Sequence, residues 1–169
     1  FEFCGKTAVP LVEKYNNLIV IRTLSKAWGL AGARVGYCIA APEIIKFMKK
    51  ARIPYGVNTI GQSLASKILC TKEQAMQNCV NKIVTDRKRL SKKIKALGLN
   101  VFRSVTNFVT VRFPRELNSI DVQKKLAERG IIVRDRSMLP LLENCIRITV
   151  GLPEENEELV KSLKEIIGG

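Results

Sequence analysis

Thr23-Leu24-Ser25-Lys26-Ala27-Trp28-Gly29-Leu30-Ala31-Gly32-Ala33-Arg34-Val35-Gly36-Tyr37 is the stretch from which the rest of the chain can be read. Leu18 to Arg22 (LIVIR), just before it, is rich in β-branched residues and reads as a buried strand. Val35 to Ala40 reads as a second one. A strand therefore delivers Lys26 to a bend. Thr23 and Ser25 lie just before the lysine, and Arg34 lies eight residues after it. The glycines and alanines between leave little side-chain bulk, so a flat ligand could lie close to the backbone. Hydroxyls and a guanidinium fork suit a phosphate dianion, the fork through paired hydrogen bonds.

The lysine poses a quantitative problem. A lysine in water has a pKa near ~10.4, so about one molecule in 2,500 is the uncharged nucleophile at neutral pH, a cost of roughly 4.6 kcal/mol. Burial among small apolar residues and a nearby cation such as Arg34 would both lower that cost. Such a site suits imine formation with an aldehyde. On its residues alone, the stretch also reads as a surface lysine beside a tightly packed turn.

Working outward, Pro42 fits the first turn of a helix running to about Lys50. Arg52 to Thr59 (RIPYGVNT) is a loop by its Pro, Gly and Asn. Ile60 to Leu69 reads as a buried helix. A longer helix is expected over Glu73 to Leu97, where Val80, Ile83, Val84, Leu90, Ile94 and Leu97 recur at helical spacing. Lys82, Lys88, Arg89, Lys92, Lys93 and Lys95 fall on its other side, and Gly98 ends it. The remainder reads as strands over 100–105 and 107–113, a helix over 120–129, a strand over 131–134, a loop with Pro140, a strand over 145–150 and a last helix. Pro153 opens that helix, and Glu154, Glu155, Glu157 and Glu158 crowd its positive end. Residues 1–72 and 73–169 are thus expected to be two parts, joined by the long helix. The first looks too small to close its own sheet. The chain opens on Phe1 with no initiator Met and no signal-type segment, so it is expected to start partway through a longer product.

Composition narrows the classes. At 169 residues, 46% hydrophobic and 26% charged, the chain fits one globular domain or two small ones. No apolar run reaches the ~18–20 residues of a membrane span. Twenty-nine Lys plus Arg against fifteen Asp plus Glu leave +14, which favours anionic partners. There is no His, which excludes His-based triads, imidazole bases and zinc sites built on His. Five cysteines without a CxxC pair read as a reduced, intracellular protein. The charge also raises a basic nucleic-acid-binding module. However, the cations of the long helix lie opposite its apolar stripe, as on a solvated face. None of the six Phe, three Tyr and one Trp interrupts that run as a stacking platform would.

The run TLSKAWGLAGARVGY is similar to the lysine segment of fold-type I pyridoxal-phosphate (PLP) aminotransferases, above all to the histidinol-phosphate branch. PLVEKYNNLIVIRT before it, PYGVN after it, Asn107-Phe108 and the late CIRITVG resemble the same family in the same order. The resemblance covers nearly the whole chain. It implies an α/β fold, the PLP-dependent transferase fold of type I. Residues 1–72 would form the C-terminal part of the large mixed-sheet domain, and 73–169 the small C-terminal α/β domain. It implies pyridoxal 5'-phosphate bound covalently as an aldimine at Lys26, which also shuttles a proton. Thr23, Ser25 and Arg34 match the phosphate cup. Arg147 matches the arginine that holds the substrate's carboxylate or phosphate, and Arg134 a second anion-binding arginine. Tyr55 to Asn58 match a loop near the subunit interface of family dimers.

The implied reaction moves an amino group between glutamate and imidazole-acetol phosphate, in a cytoplasmic homodimer of histidine biosynthesis. Its partners are small phosphorylated and dicarboxylate substrates, not nucleic acid or membrane. Other fold-type I aminotransferases, or a phospho-amino-acid decarboxylase, are the alternatives. The acidic residue for the pyridine nitrogen and the ring-stacking aromatic have no match in this chain, so these residues alone are expected to be inactive. On residues alone, Arg147 sits in an Ile-Arg-Ile-Thr-Val alternation and belongs to a solvated face or to a pocket. Arg134 adjoins Asp135 and Arg136, which leaves a plain surface ion pair open.

Overall fold

The computed structural model describes residues 1–168 and divides the chain into two compact units, residues 1–80 and 81–169. The first opens with a 3-10 turn at Val9–Val12. Strands β1 (Ile19–Thr23) and β2 (Gly36–Ala40) then form a two-stranded antiparallel ribbon, with Ile19 opposite Ala40 and Thr23 opposite Gly36. Helices α1 (Pro42–Ala51) and α2 (Thr59–Thr71) follow. Pro42 occupies the first turn of α1, where its missing N–H breaks no helical bond. The Asn58 side chain caps α2 by accepting from Gly61 N at 2.6 Å.

Both strands were expected to be buried, yet β1 alternates exposed and half-buried residues, and β2 has no buried residue. The ribbon has no third strand among the described residues, so neither strand is enclosed on both sides. Helix α2 also departs from expectation. It buries only Gly61 and Ala65, while Ile60 is 82% exposed. The fully buried residues are the small ones, one turn apart, so the helix lies close to the bend, with Ile68 packed beside Ala65 and with Ile60, Leu64 and Leu69 exposed.

Gly36 sits in the ribbon for want of space: a Cβ there would lie 2.7 Å from the Arg22 carbonyl oxygen. Backbone cannot yield as a flexible side chain does. Gly36→Ala is therefore expected to destabilise the protein by about 1–3 kcal/mol, read as a lowered urea midpoint.

Helix α3 (Glu73–Ala96) carries the chain across the boundary at 80/81, and Gly98 follows it at φ +83°. In the second unit four strands form an antiparallel sheet in the order β3 (Asn100–Val101), β4 (Phe108–Arg112), β6 (Cys145–Thr149), β5 (Arg134–Asp135). Helices α4 (Ser119–Glu128) and α5 (Pro153–Gly168) complete it. The core lies on one face of the sheet. Val109, Val111, Ile146 and Ile148 meet Leu90 and Ile94 of α3, Val122 and Leu126 of α4, and Leu159 and Leu163 of α5. Each such side chain contributes roughly 1.5–3 kcal/mol of burial. The alternate residues of β4 (Phe108, Thr110 and Arg112) are only half-buried and belong to the opposite face.

Two strands are shorter or later than the sequence suggests. The expected strand over 100–105 ends at Val101, because Ser104 and Thr106 turn their hydroxyls onto the Phe108 carbonyl instead. The strand expected over 131–134 begins only at Arg134. Ile131 N donates back to the Leu126 carbonyl at 2.9 Å, so its amide completes the end of α4. No helix is long and apolar enough to cross a membrane among the described residues.

Candidate functional site

The bend between β1 and β2 is closed at its base. Leu24 N donates to the Val35 carbonyl at 3.3 Å, one step beyond the Thr23–Gly36 pair. Ser25 and Arg34 are the next residues on the two arms. Inside the bend, Leu30 N donates to the Leu24 carbonyl at 3.0 Å and Gly29 N to the Lys26 carbonyl at 3.0 Å. Gly29 (φ +68°) and Arg34 (φ +55°) take the left-handed conformation that folds the arms together. Arg34 is not glycine, so its backbone is held at an energetic cost that the rest of the bend must offset. Leu24 and Leu30 are buried with Ala65 of α2, and Trp28, Ala33, Val35 and Ile68 pack around them. Asn58 Nδ2 donates to the Ala33 carbonyl at 3.3 Å, tying the cap of α2 to the bend. A Cβ on Gly61 would lie 2.7 Å from that same oxygen, so glycine lets α2 approach.

This packing decides where the polar residues go. Thr23 Oγ1 accepts from Ser25 N at 3.1 Å, a local turn that orients the Thr23 hydroxyl. Lys26 is exposed, not buried as the surrounding small residues suggest. The leucines take the interior, and the lysine is left on the outer side of the bend. Arg34 is exposed as well, with Nη1 donating to the Ala31 carbonyl at 3.3 Å. Among the described residues Thr23, Ser25, Lys26 and Arg34 make no ion pair with a carboxylate and donate no hydrogen bond to one.

The two remaining candidates lie in the second unit and come together there. Arg134 of β5 is the direct cross-strand partner of Arg147 of β6. Directly opposed residues of an antiparallel pair share a face, so the two side chains leave the sheet on the same side. Thr110 of β4 flanks Arg147 on its other side, and the Arg147 guanidinium carbon lies 5.2 Å from the Phe108 ring centroid. The aromatic face supports the cation without neutralising it. No carboxylate pairs with either arginine among the described residues.

Asp135 is not the ion-pair partner of Arg134 that their adjacency left open. Successive strand residues point to opposite faces. Its Oδ1 accepts from Ser119 Oγ at 2.9 Å, and its Oδ2 accepts from Ser137 N at 3.1 Å and Ser137 Oγ at 2.6 Å. Burial pushes this carboxyl up, but the hydrogen bonds from Ser137, Ser119 and Arg136 outweigh it and hold the group below its ordinary value. The roles of Phe108, Ser119, Asp135 and Asn144, whose Oδ1 accepts from Ser119 N at 2.7 Å, were missed from sequence. Only Asn144 carries a local signal, as a turn-prone residue just before a strand.

The aminotransferase class I and II family matches residues 1–163. The chain is 42% identical over 168 residues to histidinol-phosphate aminotransferase of Caldanaerobacter subterraneus subsp. tengcongensis, covering 99% of this chain and 46% of that relative. It superposes on histidinol-phosphate aminotransferase from Sinorhizobium meliloti, solved in complex with pyridoxal-5'-phosphate. There the TM-score is 0.86 and the identity 31%, covering 99% of this chain and 46% of that one. The enzyme of the same name from Clostridium acetobutylicum shares the fold, with a TM-score of 0.88 at 24% identity over 99% of this chain and 52% of that one. The chain thus spans about half the length of the relatives it matches, and its mixed α/β architecture is that of PLP-dependent aminotransferases. A match of this extent, with the lysine bend and the paired arginines inside it, means that the chain belongs to the aminotransferase class I and II family.

Proposed function

We propose that the chain is the C-terminal half of a transaminase that moves an amino group between glutamate and imidazole-acetol phosphate, histidinol phosphate being the amine product. The observation that carries the substrate class is the Arg134–Arg147 pair. Like charges directly opposed across two strands repel. An anion between them removes the repulsion, and two forks match a phosphate or carboxylate through paired hydrogen bonds.

The bend fits pyridoxal 5'-phosphate. It offers hydroxyl and guanidinium donors without a competing carboxylate, and an exposed amine that an aldehyde can reach. Thr23, Ser25 and Arg34 would hold the phosphate, and Lys26 would hold the aldehyde carbon. The cofactor supplies an electron sink for charge developing at the substrate Cα. Lys26 Nζ would take the proton from that Cα and pass it to the cofactor's aldehyde carbon, acting first as general base and then as general acid. Arg147 and Arg134 would hold the substrate's phosphate or carboxylate through paired hydrogen bonds.

We assign residues 1–72 to the large mixed-sheet domain and 73–169 to the small C-terminal domain. The working protein is a cytoplasmic homodimer with neither nucleic acid nor membrane as partner. Ile53, Tyr55 and Ile60 support the dimer: they are 78%, 99% and 82% exposed around the PYGVN loop, apolar surface that suits a second subunit.

The test is a substrate comparison with the full-length protein. Histidinol phosphate plus 2-oxoglutarate is expected to yield glutamate. Histidinol without the phosphate should react at least about 100-fold less efficiently, the worth of a charge-assisted bidentate contact. Equal use of both donors, or release of carbon dioxide from a phosphorylated amino acid without glutamate formation, would overturn the assignment.

A further inference from the structure

β5 contributes only Arg134 and Asp135 to the sheet, and Arg134 faces a like charge. A pairing so short and so opposed should splay. Two polar side chains from other elements prevent it. Ser119, fully buried at the first turn of α4, donates its hydroxyl to Asp135 Oδ1 at 2.9 Å. Its backbone N donates to Asn144 Oδ1 at 2.7 Å. Asn144 Nδ2 in turn lies 3.0, 2.9 and 2.9 Å from the carbonyls of Phe113, Pro114 and Leu117. Three acceptors at one end of the amide and an N–H at the other fix which way it points. Asn144 also adopts φ +56°, a conformation that asparagine tolerates better than most residues. It immediately precedes β6, and Phe113 N donates to its carbonyl at 3.0 Å.

The network therefore grips β5 one residue from Arg134 and β6 three residues from Arg147. We infer that Asp135, Ser119 and Asn144 are positioning residues, which set the spacing of the Arg134 and Arg147 guanidiniums and through it the affinity for the substrate's anionic group. This inference rests on the reading of the two arginines as the anion site. Without the clamp, β5 is free to relax away from the opposing charge. The forks then no longer converge on one anion, and the loss appears in binding more than in turnover.

The experiment uses the full-length holoenzyme and inorganic phosphate as a competitive inhibitor. Asp135→Asn keeps the shape but places an amide where two acceptors are needed. It is expected to raise the phosphate inhibition constant and the KM for histidinol phosphate about tenfold, with a much smaller change in kcat. Ser119→Ala removes one donor to Asp135 and serves if Asp135→Asn fails to fold; a rise of a few-fold is expected there. Arg134→Gln is measured alongside. If it weakens phosphate and neither clamp variant does, the positioning role is wrong and the anion site stands. If Arg134→Gln and Arg147→Gln both leave phosphate binding unchanged, the anion site is wrong and the positioning role falls with it. A clamp variant that lowers only the melting temperature, with both constants unchanged, also overturns the inference.

Discussion

On the proposed function, Lys26→Ala in the full-length protein is expected to cut amino transfer by roughly four orders of magnitude or more, because it would remove both the group proposed to hold the cofactor aldehyde and the base proposed to move the Cα proton. Folding should hardly change. Lys26 is exposed on the outer side of a bend whose interior is filled by Leu24, Leu30 and Ala65, and its side chain supports none of them. A surface truncation of this kind shifts stability by about 0.5 kcal/mol or less. The expected result is thus a split: a urea curve that superposes on the parent's, beside a rate near background. Borohydride reduction followed by peptide mapping gives a direct readout, with the adduct found on the Lys26 peptide of the parent and absent from the variant. More than a tenth of the parent activity in Lys26→Ala, or an adduct mapped to another lysine, would remove the basis for the whole site.

The second large effect is expected at Arg147. Arg147→Gln should lower kcat/KM for histidinol phosphate about 10- to 100-fold, the range of a charge-assisted hydrogen-bonded contact to an anion. The loss should be far smaller for a donor without the phosphate. Arg147→Lys should recover only part of it, since an ammonium cannot present two parallel donors. Stability is expected to move the other way. Arg147 directly opposes Arg134 across β5 and β6. Removing one like charge from such a pair relieves repulsion by about 0.2–1 kcal/mol. A lost anion preference together with an unchanged or raised urea midpoint is the signature of a functional arginine. A fall in both would mark Arg147 as a structural residue that packs on Phe108.

The elements with strong local signals were legible in the sequence. Pro42 and Pro153 marked helix starts, and the 3.6-residue stripe from Val80 to Leu97 marked α3, because capping and periodicity act within a few residues. Burial was less legible. A run such as LIVIR has the same composition in an enclosed sheet and in a two-stranded ribbon, and only its neighbours decide between them. Helix α2 shows the same gap, since nothing local says that Gly61 and Ala65 turn inward while Ile60 turns out. In the candidate site, the lysine bend was visible as one continuous motif. That Arg134 and Arg147 face each other was not, because cross-strand register is set by the β5–β6 connection and by Asn144, not by either strand's own residues. Asp135 was read by its proximity in sequence to Arg134, whereas strand pleating sends its carboxylate to Ser119 on another element.

The sheet of the second unit stops at two-residue strands on both margins, β3 on one side and β5 on the other. A long outer strand would offer a row of unpaired amides and carbonyls on which another chain could template. Here each margin offers almost none. The β5 margin also carries a positive charge at Arg134, which discourages a second copy from docking in register. The sheet therefore leaves little free edge on which another chain could extend it and begin to aggregate.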